Sequence, residues 1–351
     1  MKMKAGDVMD KKVTMEQIAE AANVSKGLVS RALTDRYGVS SEMRSLIKMK
    51  AVELGYDFER IKTKSKKRMS CCLLMSSRVL TRESYWQPII RSMEEALSFE
   101  GIDTDYFIYD ETDFSEEDSR RLKSNDAGAY VIMHKNFPFL MRELEKKHKP
   151  TVVIDPQFHM AAKFLQIRAS NYESSFEAAQ YLIENGLRRL VYYGACAFSQ
   201  SYRERYEGAR DCVQEYAQLG ATLESVDIDN SDYAFGAPEQ LTAVIGDGHV
   251  DAVLCCNDLF AISALKTIKE LGLNVPEDIS LVGFDNTIES SIVSPEITTV
   301  DIPREAMGKE AARFVVDTAA TGKANYTSLV LNCTLVKRRS VKTIPQNEEA
   351  R

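Results

Sequence analysis

Apolar positions along residues 13–54 recur at helical spacing and predict three short helices. Thr14 is placed to cap the first, with Gln17 at the capping-box position three residues on. Met15, Ile18, Ala19 and Ala22 then form one apolar face. Asn23 ends that helix, as Asn can where the chain must turn left-handed. Ser25 caps a second helix, SKGLVSRAL, which turns Val29, Ala32 and Leu33 inward and shows Lys26, Gly27, Ser30 and Arg31 outward. A third helix starts near Ser41 and buries Met43, Leu46, Ile47, Ala51 and Leu54. From residue 71 the pattern changes. Continuous apolar runs (CCLLMS, AYVIM, TVVID, LVYYG, AVLCC, SLVGF) alternate with amphipathic helical stretches. Such runs are strands of parallel sheets covered on both faces, and the series is long enough for two Rossmann-like lobes. Ligands in such folds bind beyond the carboxyl ends of the strands, here in a cleft between two sheets.

A helix, a tight turn and a second short helix with hydroxyls and cations on its outer face form a helix-turn-helix pattern. Charge agrees with that placement. The first 70 of 351 residues carry 16 Lys and Arg against 9 Asp and Glu, and the remainder carries 29 against 43. A basic head on an acidic body directs only the head toward an anionic partner. Residues 60–68, RIKTKSKKR, hold six cations in nine positions and read as a linker or a phosphate-touching arm.

The remaining composition mainly excludes. No apolar run approaches the length of a membrane span, and MKMKAGDVMDKKVTMEQIAE has no apolar signal core, so a cytoplasmic protein is expected. Seven cysteines, two pairs of them adjacent inside apolar runs, predict buried thiols rather than a disulfide framework. The four histidines lie far apart, so no metal site and no cofactor is expected. No dinucleotide, P-loop, nucleophile-elbow or zincin motif occurs, so no catalytic residue is assigned and an enzyme is not expected.

From Val13 to about Arg339 the chain resembles the LacI-type (lactose-repressor/purine-repressor) bacterial transcription regulators. VTMEQIAEAANVSKGLVSRAL and VSSEMRSLIKMKAVELGY resemble their DNA-binding head. In the body, RERYEGA, AVLCCNDLFAISALKTIKELGLNVPEDISLVGFDN, SPEITTVDIPREAMGKEAARF and LVKRRS resemble successive blocks of their core. The resemblance implies an all-α helix-turn-helix domain at 12–58, a hinge at 59–69, and a periplasmic-binding-protein-like α/β core of two Rossmann-like lobes at 70–342. Lobe 1 is expected at about 70–168 and 298–325, and lobe 2 at about 169–297 and 326–342.

Roles are implied where positions match. Thr14, Ser25, Ser30 and Ser40 fall on phosphate-anchoring hydroxyls. Lys26, Gly27 and Arg31 fall on the recognition helix, and Arg44 joins the DNA-contact set. Arg31 suits a bidentate contact to guanine, whereas Gly27 has no side chain to read a base. Arg205 matches an effector-binding arginine, Asn257 and Asp285 match cleft positions that hydrogen-bond the ligand, and Tyr85 with Trp86 match an aromatic pair lining the cleft. The implied partners are a double-stranded DNA operator, a small-molecule effector of carbohydrate type, and a second copy of the chain. The sequence VKTIPQNEEAR has no leucine heptad, so a dimer rather than a coiled-coil tetramer is expected. Two departures stand out. Ala169-Ser170-Asn171 lacks a ligand-facing carboxylate common in the family. The hinge has Ser65 where an apolar minor-groove wedge is usual, which predicts weak DNA bending.

Overall fold

The structure, a computed structural model of the chain, describes residues 13–33, 39–56, 69–110, 112–159, 164–228, 238–322 and 328–343. The expected basic hinge lies outside the described residues, apart from Met69. Contacts divide the chain into two compact units, one through Arg68 and one from Met69.

The head packs α1 (Met15–Ala21), α2 (Lys26–Leu33) and α3 (Ser41–Glu53) around Ile18, Val29, Ala32, Leu33, Ile47 and Ala51. The capping box forms as expected: the Thr14 hydroxyl accepts from Gln17 N at 3.4 Å and the Gln17 side chain accepts from Thr14 N at 2.9 Å. Ser25 and Ser40 cap α2 and α3 in the same way, accepting from Leu28 N and Met43 N at 3.2 Å each. Asn23 is left-handed, with φ 51°. Leu54 departs from the expected apolar face. It is 40% exposed, and Tyr56, just beyond the helix, fills the core instead.

The second unit contains two six-stranded sheets. The first is built mainly from β1 (Ser70–Ser76), β2 (Asp103–Tyr109), β3 (Ala129–Met133), β4 (Thr151–Ile154) and β5 (Leu165–Ala169). Between these strands run α4 (Ser77–Thr81), α5 (Glu83–Phe99), α6 (Glu116–Ser124) and α7 (Pro138–Lys147). A short helix, α4, precedes the longer α5, and the two meet at Arg82. After β5 the chain crosses into the second lobe. It forms α8 (Asn171–Glu184), β6 (Arg189–Gly194), α9 (Gln200–Glu215), β7 (Thr222–Asp227), α10 (Pro238–Gly246), β8 (Ala252–Cys255), α11 (Asp258–Glu270), β9 (Ser280–Asp285), α12 (Ile288–Ile292) and β10 (Thr298–Asp301). It then returns to lobe 1 with α13 (Arg304–Thr321) and β11 (Ser328–Leu331), and ends in lobe 2 with β12 (Thr334–Val336).

The sheet orders are β11-β5-β4-β3-β1-β2 and β12-β10-β9-β8-β6-β7, with every pairing parallel except β12 against β10. These orders correct the expected lobe boundaries. Residues 298–301 pair with β9 in lobe 2 (Asp301 beside Asp285), and residues 328–331 pair with β5 in lobe 1 (Leu331 beside Ala169). The second and third crossings thus fall one strand later than the sequence placed them. Three crossings join the lobes, and each sheet reverses its strand order beside its first strand, β1 or β6. The carboxyl ends of β1, β3, β6 and β8 therefore face the position where ligands bind in doubly wound sheets.

Candidate functional site

Two sites follow from this architecture, one in each unit. On the head, Lys26, Gly27 and Arg31 are exposed on α2 and Ser30 is half-buried. Lys26 forms an ion pair with Glu16 of α1, and both side chains are largely exposed. Solvent screens an exposed pair of this kind, so Lys26 can be released to another anion at little cost. A Cβ on Gly27 would meet only the Ser25 hydroxyl, at an ordinary contact distance of 4.0 Å, so packing does not require glycine there. Thr14, Ser25 and Ser40 are exposed caps. Arg44 differs from the rest. It is half-buried on α3 and donates to the Ala32 carbonyl of α2 at 3.4 Å, which fastens the two helices together.

In the core, a cleft between the lobes is lined by residues from the carboxyl ends of the strands and the helices that follow. The cavity between its walls is small, about 30 Å³. Direct hydrogen bonds from one lobe to the other hold the cleft closed. Arg205 anchors the lobe 2 wall. Its Nε donates to Asn171 Oδ1 at 2.9 Å, and its Nη1 donates to the Cys256 carbonyl at 2.6 Å and to Asp285 Oδ1 at 3.2 Å. Its guanidinium lies 3.8 Å from the centre of the Phe284 ring. Burial opposes the charge on Arg205, but Asp285, Tyr202, Tyr85 and Asp155 outweigh it and move its pKa upward. Asp285 ends β9 with φ 108°, and burial raises its pKa against the pull of Arg205, Arg304 and Arg82.

Tyr85 and Trp86 of α5 also line the cleft, with ring centres 5.0 Å apart in an edge-to-face pair. The Tyr85 hydroxyl donates to Asp155 Oδ2 at 3.4 Å. The cleft thus brings together four of the five expected effector residues: Tyr85, Trp86, Arg205 and Asp285. Asn257 is not among its lining residues. It caps α11, accepting from Phe260 N at 2.9 Å, and its Nδ2 donates to the Tyr202 hydroxyl at 2.7 Å. Its role in the structure is to hold Tyr202, which does line the cleft.

Several cleft residues escaped the sequence reading. Asp155 follows β4, and His134 follows β3. A polar residue just past an apolar strand was the available signal. Asp155 also offers a carboxylate from lobe 1, although residues 169–171 supply none. Seven described non-glycine residues have positive φ, and four of them (His134, Asp155, Asp285 and Asn286) sit at strand ends on or beside this cleft. Such backbone costs about 1–3 kcal/mol per residue and persists where surrounding structure over-determines it, typically at functional sites. Cross-lobe contacts complete the closure. Ser84 donates to Glu289 Oε1 at 2.5 Å, and Gln157 Nε2 donates to the Phe198 carbonyl at 2.9 Å. Arg304 donates to the carbonyls of Ser84 and Asn286 at 2.7 and 2.8 Å.

Beneath the cleft, Asp258 is fully buried. It accepts from Thr299 Oγ1 at 2.6 Å and from Thr287 N at 2.7 Å, tying α11 to β10 and to the start of α12. A Cβ on Gly283 would collide with it, which explains the glycine in GFDN. Burial, aided by Asp285, pushes the Asp258 pKa up to about 7, and burial pushes Asp155 up to about 6. A carboxyl raised in this way keeps its proton in the folded state after the unfolded chain has lost it. Its contribution is greatest below the ordinary carboxylate pKa of about 4 and is lost as pH rises toward 7. Asp258→Asn, which cannot ionise, is expected to flatten the fall in melting temperature between pH 4 and 7. Parallel wild-type and variant melting curves over that range would refute this.

Among the described residues, no group of three or more His, Cys, Asp and Glu could hold a metal ion, and no helix is long and apolar enough to cross a membrane. All seven cysteines are free, five of them buried.

A helix-turn-helix head joined to a two-lobed core with its polar cleft at the strand ends defines a transcription regulator with a binding-protein-like sensor. Residues 179–341 match the periplasmic binding protein-like domain. The chain is 26% identical over 339 residues to the transcriptional repressor CytR of Escherichia coli, spanning 95% of this chain and 97% of the relative. It is 28% identical to the regulator CelR of Thermobifida fusca, spanning 93% and 98%. A solved CelR–cellobiose complex superposes with a TM-score of 0.67 at 26% identity, covering 94% of this chain and all of that one. The fold of the Lac repressor dimer bound to operator superposes with a TM-score of 0.66 at 22% identity, covering 94% and 99%. Across nearly its whole length the chain is similar to LacI-type transcription regulators.

Proposed function

We propose that this regulator binds a pseudo-palindromic operator as a homodimer in the cytoplasm, acts as a repressor, and responds to a carbohydrate-type effector held between the core lobes. The convergence of Arg205, Asp285, Tyr85 and Trp86 on one closed interlobe cleft carries the reading. A guanidinium and a carboxylate suit sugar hydroxyls, and an indole face suits a sugar ring. The effector acts by stabilising one lobe angle over another. In a dimer that changes the separation of the two heads, and so operator affinity. On the head, Thr14, Ser25 and Ser40 serve twice. Each hydroxyl accepts a backbone N–H at a helix start and still has a hydrogen to donate to a phosphate oxygen. Lys26 and Arg31 face the groove, and Arg44 acts by positioning α2.

The test is a gel-shift series on sites selected from random DNA. Arg31→Ala is expected to cost about 1–3 kcal/mol and to relax preference at one base pair per half-site. Full affinity and unchanged preference in the variant would remove Arg31 from the interface.

A further inference from the structure

We infer that Glu16 of α1 reads DNA together with Lys26 of α2, as one donor–acceptor unit matched to a G·C base pair. The Lys26 ammonium would donate to guanine O6 and N7, and the Glu16 carboxylate would accept from cytosine N4. This rests on the placement of α2 in the major groove proposed above and adds a residue that the placement does not assign. In a helix-turn-helix the first residues of the second helix reach base edges. Lys26 is the first residue of α2, and Gly27 beside it has no side chain to read with. The start of α2 therefore depends on Lys26 and on the group that orients it. That group is Glu16, which forms an ion pair with Lys26 from the first turn of the neighbouring helix.

Electrostatics account for the pairing. Lys26 places a cation at the positive end of the α2 dipole, and the first turn of α2 has no acidic residue to offset it. Glu16 supplies that charge from α1. The hydrogen bond from Lys26 in turn holds the Glu16 carboxyl below its ordinary range. The two side chains are 61% and 59% exposed, so a duplex can reach both. Glu16 is also two residues from Thr14, a proposed phosphate anchor. A carboxylate there repels the phosphate backbone, so its presence favours discrimination over raw affinity.

The geometry matches one base-pair edge. The Lys26 nitrogen and the Glu16 oxygen lie within hydrogen-bond distance. Guanine O6 and cytosine N4 are likewise joined by one N–H···O bond, roughly 2.9 Å long. Donor thus falls on acceptor, and acceptor on donor. Lysine has three N–H donors, so one stays with Glu16 while two reach O6 and N7. An A·T pair also offers an acceptor beside a donor, but thymine O4 is flanked by a methyl group rather than a second acceptor.

The test selects sites from random duplexes with the full-length protein and with Glu16→Gln, Lys26→Gln and Arg31→Ala. The wild type should enrich a G·C pair at one position per half-site that Arg31→Ala leaves in place. Glu16→Gln keeps the side-chain length. It should cut the preference for that pair about ten-fold, within the discrimination a good side-chain-to-base contact supplies. It should retain the base pair that Arg31 reads, and bind random DNA at least as tightly as the wild type. The double variant with Lys26→Gln should lose no more at that position than Lys26→Gln alone. N4-methylcytosine there replaces the hydrogen that the carboxylate accepts, so it should weaken the wild type but not Glu16→Gln. Circular dichroism melts check folding, and a mere tie between helices would instead lower melting temperature and affinity on every site alike. Such a uniform loss, an unchanged preference in Glu16→Gln, or an A·T pair at the position that Lys26 controls overturns the proposal. The DNA reading still stands if Lys26→Gln and Arg31→Ala each alter the selected site. If no variant alters it, both fall.

Discussion

Asp285→Asn is expected to weaken effector binding by about 2 kcal/mol or more, roughly 30-fold, as read by Trp86 fluorescence against a ligand that shifts the wild-type signal. The carboxylate lies at the lip of β9 in a backbone conformation unusual for a side-chain-bearing residue, and its Oδ1 accepts from Arg205. Removing the charge takes away an acceptor for ligand hydroxyls. It also lets Arg205 settle on its remaining partners, Asn171 and the Cys256 carbonyl. The amide variant is the informative one because the pair is buried. Asp285→Ala would leave Arg205 in the cleft without its carboxylate, and breaking a buried pair costs about 3–5 kcal/mol of stability. Comparing the two separates ligand contact from fold. Both variants break the ion pair and should lose affinity, but Asn, which keeps the side-chain volume and an oxygen acceptor for Arg205, should lose less melting temperature than Ala. Undiminished ligand affinity in Asp285→Asn would show that the carboxylate does not face the effector.

The second large effect is expected at Gly208. It follows Arg205 by one helical turn in RERYEGA, and α9 lies against α8 at this point. A Cβ there would collide with the carbonyl oxygen of Tyr172, a backbone atom of α8 that cannot swing aside. Gly208→Val should therefore push the helices apart. Overpacking commonly costs about 1–3 kcal/mol, and backbone opposition places this case at the upper end. The displacement also carries Arg205 away from Asn171, the first residue of α8, so effector affinity should fall together with melting temperature. The motif thus joins two functions: its arginine works in the cleft, and its glycine sets how close that arginine can come. A Gly208→Val protein with wild-type melting temperature and ligand affinity would mean that α8 and α9 do not pack as described.

Much of this was legible in the sequence, because the signals are local. Thr14 with Gln17, and Ser25 and Ser40 three residues ahead of the N–H groups they cap, are short-range patterns that need no distant partner. Apolar runs such as CCLLMS identify doubly covered strands because burial on both faces leaves no room for alternation. Arg205, Asp285, Tyr85 and Trp86 were marked by the blocks of residues around them. What the sequence by itself determined was therefore each element, its caps and its inward face. Only the tertiary structure decided which sheet β10 and β11 join, since that depends on pairing with Asp285 and Ala169, far away in the chain. It also decided that Asn257 faces Tyr202, that Leu54 gives way to Tyr56, and that Arg44 braces α2. Asp155, His134, Arg78 and Arg82 became cleft residues only when two sheets and three crossings brought their strand ends together. Periodicity records how much of a residue is buried. It does not record against what, and a site between two lobes is made of that second quantity.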